Sequence, residues 1–344
     1  MAGVPGCFHR LTRSLLVPGL TLTLRARAPG RYHEGMKTTG LLAAGLMLAG
    51  SAQGAAQDPG SGYLPHRVYD SKSKRFSDFE SLTKAMARVD VVLVGEQHDD
   101  PATHRIELAL LEAIARRRDS VVLSLEMFER DVQPVLDGYL GDQTPESVFV
   151  ARSRPWPRYR TDYRGLVELA RARRWPVVAA NVPRPLASLV SRAGLTGLDT
   201  LADSTAVHRA AALECPLDDD YAKSFSEVIR AMPSHGPPPA SPAEATDRIH
   251  RMYFAQCLKD ETMAESIARA WQPGRLVVHY NGSFHSDFRR GTAARVRRRL
   301  PDAKTSVLTV VPVANLDTVD PASSERKRAD YLIYVLKPPA QPAP

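Results

Sequence analysis

Two rhythms of apolar residues alternate along this chain. Residues 91–95, 121–127, 176–182 and 276–280 are near-continuous apolar runs, the pattern of strands covered on both faces. Between them the spacing changes. In residues 101–118, Ile106, Leu110 and Ile114 recur every four positions with Leu111 beside them, and in residues 162–173, Leu166, Leu169 and Ala170 share a stripe. The spacing predicts helices there, another over 131–140 and another over 293–300, with Pro183 ending the third strand. Residues 306–313 and 331–336 read as two last strands. Strands alternating with helices predict an α/β fold: a mainly parallel sheet with helices on both faces. The last two strands lack a helix of usual length between them, so one antiparallel sheet edge is expected there.

Residues 184–271 break the rhythm. No strand pattern occurs in them, residues 244–271 read as one long helix or two broken ones, and residues 232–242 form a proline-rich loop. The segment reads as a helical insertion or lid on a single domain spanning 65–337, with a flexible linker at 57–64 and a disordered Pro/Ala-rich tail at 338–344.

Charge changes meaning once the N-terminus is read. The formal net charge is +8, but residues 36–56 (MKTTGLLAAGLMLAGSAQGAA) carry a basic start, a short apolar stretch and a small-residue cluster, the marks of a secretory signal peptide. Residues 1–35 then read as the product of a mis-assigned upstream start, with an extended signal or a mitochondrial-type presequence as the alternative. Removing residues 1–56 takes away six basic residues and one acid, leaving 40 against 37 and a net of +3. Nucleic acid is therefore not an expected partner, and the run Arg295, Arg297, Arg298, Arg299 reads as a solvated helix face. Cys215 and Cys257 remain in the exported part, where they read as a disulfide or as two buried thiols, and not as a metal knuckle.

The candidate chemistry lies where the strands end, since open α/β sheets bind ligands beyond the carboxyl ends of their strands. The first run ends in Gly95-Glu96-Gln97-His98 and the fourth leads into Gly282-Ser283-Phe284-His285, two Gly-x-x-His tetrapeptides. The second run ends near Glu126 and the third near Asn181. Each residue taken singly has a structural reading: Glu126 as a strand-end cap or arginine partner, His98 as a cap of the helix near Pro101, Asn181 as a turn residue. As a set they point to a site, because carboxylates on apolar strands are costly without a purpose. Glu96, His98, Glu126 and His285 could hold Zn²⁺, Mn²⁺ or Fe²⁺ with an open position for water, or without metal a His paired with a Glu could act as general base on water. No GxSxG, HExxH, P-loop or strand-following GxGxxG is present, which argues against elbow-type serine hydrolases, zincins, NTPases and Rossmann dehydrogenases. A second cluster, residues 154–164 (RPWPRYRTDYR), mixes arginines and aromatics. It suits a flat anionic ligand such as haem, but its composition alone favours a helix-entry segment whose aromatics pack in the core.

These motifs carry a resemblance. VVLVGEQHDDPATHRIELALLEAI (91–114), VVLSLEMFERDVQPVLDGYL (121–140), QCLKDETMAESI (256–267) and GSFHSDFRRG (282–291) resemble the ChaN-like haem-binding proteins, within the wider group of Tiki proteases, TraB-like proteins and erythromycin esterases. The resemblance implies an exported α/β domain with a helical lid, haem as cofactor, a role in haem or iron uptake, and tyrosine as axial ligand, with Tyr163 the best match and Tyr159 second. The hydrolase branches imply Glu96, His98, Glu126 and His285 as the site, with or without metal, of a hydrolase acting on a peptide, ester or lactone. Haem or another small molecule is the expected partner, with a homodimer left open and no membrane span. A lipoprotein of this kind would need Cys after Gly50, where this chain has Ser51, so a soluble periplasmic or secreted location is expected.

Overall fold

A computed structural model describes residues 63–232 and 239–337. The upstream segment, the signal peptide, most of the 57–64 linker, the middle of the proline-rich loop and the 338–344 tail lie outside the described residues.

The chain opens with a hairpin, β1 (His66–Asp70) and β2 (Arg75–Ser77), followed by α1 (Phe79–Met86). The alternating region supplies β3 (Val91–Glu96), α2 (Pro101–Ala115), β4 (Val121–Glu129), α3 (Gln133–Leu140), α4 (Glu146–Ser153), α5 (Arg164–Ala172) and β5 (Val177–Asn181). Helices α6 (Arg184–Ala193), α7 (Asp203–Ala206), α8 (Asp220–Ala231) and α9 (Pro242–Ala270) come next, then β6 (Leu276–Gly282), α10 (Gly291–Arg299), β7 (Thr305–Val313) and β8 (Tyr331–Leu336).

All eight strands join one sheet in the order β2-β1-β8-β7-β3-β6-β4-β5. From β8 to β5 every neighbouring pair is parallel. The antiparallel edge expected between the last two strands is not there. β7 and β8 run parallel, and the antiparallel pairing comes from β1 against β8 and β2 against β1. The short β1–β2 hairpin has no long apolar run, so it carried no strand signal of its own.

The apolar runs are continuous because both sheet faces are covered. Val92 and Val94 face a core shared with Leu110, Ile114, Tyr139, Phe149 and Leu166 from α2 to α5. Val91 and Leu93 face the opposite core, with Ala264 and Ile267 of α9 and Val296 of α10. The long helix α9 starts at Ser241, whose hydroxyl accepts from the Glu244 amide at 3.2 Å, with Pro242 in its first turn. It is one unbroken element, and it carries Gln256, Lys259 and Asp260 to the sheet. Cys257 on α9 forms a disulfide with Cys215.

The arginine run of α10 is solvated only in part: Arg297 and Arg298 are exposed, whereas the others turn inward. Arg295 is buried, and Arg295 Nε at 3.0 Å and Arg298 Nη2 at 2.7 Å both donate to the buried Glu261 of α9, with Arg299 also bonded to it. A carboxylate at a core position of α9 recruits the cations, since a buried charge needs partners.

Candidate active site at the sheet edge

Strand order brings the four chosen strand ends together. β6 enters the sheet between β3 and β4, and β5 follows, so Glu96, the segment after Gly282, Glu126 and Asn181 come from four adjacent strands. Both glycines of the Gly-x-x-His motifs are sites of close approach. A Cβ on Gly95 would lie 3.0 Å from Ser283 Cα and 3.1 Å from Ser286 Oγ, and one on Gly282 would lie 2.6 Å from His98 Nε2. The two motifs therefore interlock, each glycine making room for the turn of the other.

Two carboxylate–imidazole pairs result. In the first, Glu96 is buried at 1% exposure and its Oε1 bonds His98 Nδ1, while the Tyr163 hydroxyl donates to the same oxygen at 2.9 Å. The His98 side chain is about half exposed and packs edge-on against Trp156 at 4.7 Å between centroids. Burial opposes its charge, but the Glu96 hydrogen bond and the Glu126 charge outweigh burial, so His98 titrates above the ordinary histidine value. Asp100, and not His98, caps α2, accepting from the Thr103 amide at 2.8 Å.

In the second pair, His285 lies between two acids. Its Nδ1 is 2.7 Å from Asp260 Oδ1 and its Nε2 is 3.3 Å from Glu126 Oε1. Burial alone would lower the imidazole, yet the Glu126 and Asp260 charges raise it to about 10. Burial likewise pushes Glu126 up, and the charge and hydrogen bond of His285 overcome this and hold the carboxyl well below the usual range. The remaining Glu126 oxygen, Oε2, accepts from the Gly282 amide at 2.8 Å. Asp260 is itself held by Tyr221 Oη at 2.7 Å and Thr292 Oγ1 at 2.8 Å. Both ring nitrogens of His285 thus face buried carboxylates.

Asn181 is buried and lines the cleft above this edge; its Oδ1 accepts from the Val182 amide at 2.9 Å. The cleft measures about 540 Å³ and is also lined by Glu126, Trp156, Phe225, Met252 and Lys259. Tyr159 and Tyr163 occupy a π-helical turn, Tyr159–Tyr163, and both point into the core at 2% and 1% exposure. Burial raises the Tyr163 phenol well above the usual tyrosine value, and the Glu96 and Glu107 charges add to this; burial raises Tyr159 as well. Neither phenol lines the cleft.

Sequence reasoning missed Asp260, Tyr221, His104, Glu107 and His279. A signal existed for three of them. Asp260 falls in the stripe Tyr253, Cys257, Ala264, Ile267 of α9, and His104 and Glu107 continue into Leu111 and Ile114 on the buried side of α2. A charged residue on a core stripe is as informative as one at a strand end. His279 lies inside β6, with Nδ1 2.9 Å from Ser124 Oγ, and burial lowers it to about 3, so it is a neutral core imidazole.

An α/β domain with paired Gly-x-x-His turns at its sheet edge is thus the class that the fold and site define. The chain belongs to the family described as haem-binding uptake, Tiki superfamily, ChaN, whose model matches residues 82–296. Among solved structures it is similar to "Cofacial heme binding to ChaN of Campylobacter jejuni", at 17% identity and a TM-score of 0.59 over 79% of this chain and 97% of that one. Weaker likenesses include a toxin effector domain from Vibrio vulnificus, at 15% identity and TM-score 0.37 over 68% of this chain and 36% of that one. An erythromycin esterase mutant in its open conformation is matched at 11% identity and TM-score 0.41 over 80% and 83%. No curated protein matches the chain significantly. Among the described residues no helix is long and apolar enough to cross a membrane.

Proposed function

We propose that this protein is an exported haem-binding protein serving haem or iron uptake, and that the cleft above the sheet edge is its haem site. The observation that carries the reading is the composition of that cleft. Trp156, Val182, Phe225, Ile229 and Met252 give it apolar and aromatic walls, and Arg184 and Lys259 stand among them as cations. A planar macrocycle needs such walls, and its propionates need such cations. A volume of about 540 Å³ is within the range of small-molecule sites. Bound haem would supply a redox-active iron, and Met252 offers a thioether in the lining. Tyr163 and Tyr159 are buried in the core and do not line the cleft, so the ligand role that the resemblance implies for them would need a rearrangement of the Tyr159–Tyr163 turn. Family membership supports haem; residues 36–56 support export, and Ser51 after Gly50 supports a soluble periplasmic form. Titration of the purified chain with hemin should give a saturable Soret shift that Phe225→Ala weakens. A chain that gives no shift would end this reading.

A second reading rests on a different observation. The Glu96–His98 and Glu126–His285 pairs stand side by side, with one imidazole half exposed and the other buried between two carboxylates. That arrangement suits a hydrolase in which His98, oriented by Glu96, activates water and the Glu126–His285–Asp260 group stabilises developing charge. Hydrolysis of a panel of ester, lactone and peptide substrates, lost in Glu96→Gln and His98→Ala, would support it. Haem affinity unaltered in those same variants would show that the two sites are separate.

A further inference from the structure

Glu96 has a second face that neither reading uses. Its Oε2 has no hydrogen-bond partner and lies 3.6 Å from His104 Nδ1, in a side chain only 1% exposed. Glu107, on the next turn of α2, is fully buried; its Oε2 is 2.9 Å from the same Nδ1, and its Oε1 has no hydrogen-bond partner either. One ligand atom from each of Glu96, His104 and Glu107 lies within 4.8 Å of the others, the group among the described residues that meets this test.

We propose that Glu96, His104 and Glu107 form a binding site for a first-row divalent cation, separate from the cleft. The donor set of two carboxylates and one imidazole suits Mn²⁺, Fe²⁺ or Zn²⁺, with a position left for water. The imidazole is oriented for it. His104 Nε2 is 3.2 Å from the His98 carbonyl oxygen and 3.4 Å from Asp162 Oδ2, two acceptors that favour the ring proton on Nε2, and with that tautomer the Nδ1 lone pair faces the two glutamates. A lone pair facing two carboxyl groups in a buried space requires a proton or a cation between them. The surrounding groups act as an outer layer: the Tyr163 hydroxyl holds Glu96, and Arg158 Nε pairs with Asp162 at 2.8 Å. Access is short. A surface recess of about 460 Å³ is lined by His104, Arg158 and Asp162.

The alternative occupant is a proton shared between Glu96 and Glu107, and the test separates the two. The purified chain is stripped with EDTA and titrated calorimetrically with Mn²⁺ and with Zn²⁺, and its melting temperature is followed with and without each ion. The expected result is one ion per chain and a rise in Tm on binding. Glu107→Gln, isosteric with the protonated acid, should keep its fold in EDTA and bind at least about tenfold more weakly. Glu126→Gln should bind the ion as the unaltered chain does. Two results overturn the proposal. One is a chain that takes up neither ion and shows no Tm shift, while Glu107→Gln folds normally; the other is a Glu107→Gln variant that binds as tightly as the unaltered chain.

Discussion

Gly282 lies directly beneath the imidazole of His98. A Cβ on Gly282 would sit 2.6 Å from Nε2 and 2.8 Å from Cε1 of that ring, with Glu126 Oε2 3.8 Å away. The glycine of the second motif therefore sets the position of the histidine of the first. Gly282→Ala should push the half-exposed ring outward and part it from Glu96. The obstructing atoms end a side chain, so the stability cost should be near about 1 kcal/mol. Gly95→Ala should cost more, about 2–3 kcal/mol, because the backbone Cα of Ser283 blocks it. Urea midpoints of both variants check the costs. NMR titration of His98 in Gly282→Ala should move back toward the ordinary histidine value; an unmoved titration would contradict the packing argument.

His285 should dominate the alkaline stability of the chain. Its value is raised to about 10 in the folded state, against about 6.5 unfolded. The stability it contributes is complete below about pH 6.5 and is lost as pH rises toward about 10. Glu126 works in the opposite sense. Its folded value is depressed, so its contribution is present above about pH 4.3 and lost as pH falls further. Urea midpoints should therefore decline between neutrality and about pH 10. His285→Gln should reduce that slope by up to about 1.4 kcal/mol per pH unit.

Tyr163→Phe separates structure from haem ligation. The Tyr163 hydroxyl donates to Glu96 Oε1 at 2.9 Å within the core, so its removal should cost about 1.5–3 kcal/mol of stability. The hemin Soret shift should survive. Phe225→Ala should instead weaken hemin by about tenfold with little change in the His285 titration. A Soret shift abolished in folded Tyr163→Phe would return the phenol to the iron and displace the cleft from this role.

The Cys215–Cys257 bridge closes a span of 42 residues. In the chain-entropy view this stabilises the fold by about 3–4 kcal/mol. The bridge also holds Glu214, whose carbonyl accepts from Arg295 Nη2 at 3.1 Å, beside the Glu261 cluster. The Cys215→Ser, Cys257→Ser double variant and the reduced native chain should show the same lowered urea midpoint.

Much of the fold was readable from apolar spacing. The runs at 91–95 and 276–280 are β3 and β6, and the stripe Ile106, Leu110, Ile114 is the buried side of α2. The β1–β2 hairpin was not readable, because Arg75–Ser77 contains one apolar residue and pairs only through its backbone and its neighbour. Nor was the fate of Tyr163. A tyrosine among arginines suits a ligand site by composition, and only the tertiary structure shows that it is buried against Glu96 and His104.

The sequence by itself determined the class of the sheet, the two Gly-x-x-His turns and the carboxylates at the strand ends, since each is written in residues near one another in the chain. Which of these groups meet was decided by the tertiary structure. β6 inserts between β3 and β4, which sets His285 beside Glu126 and lays Gly282 under His98. α9 then supplies Asp260, which with Glu126 flanks His285, and α2 turns His104 and Glu107 toward Glu96. Periodicity reports which face of an element is buried. It carries no information about which distant element covers that face, and so about the charge or pKa a buried group acquires there.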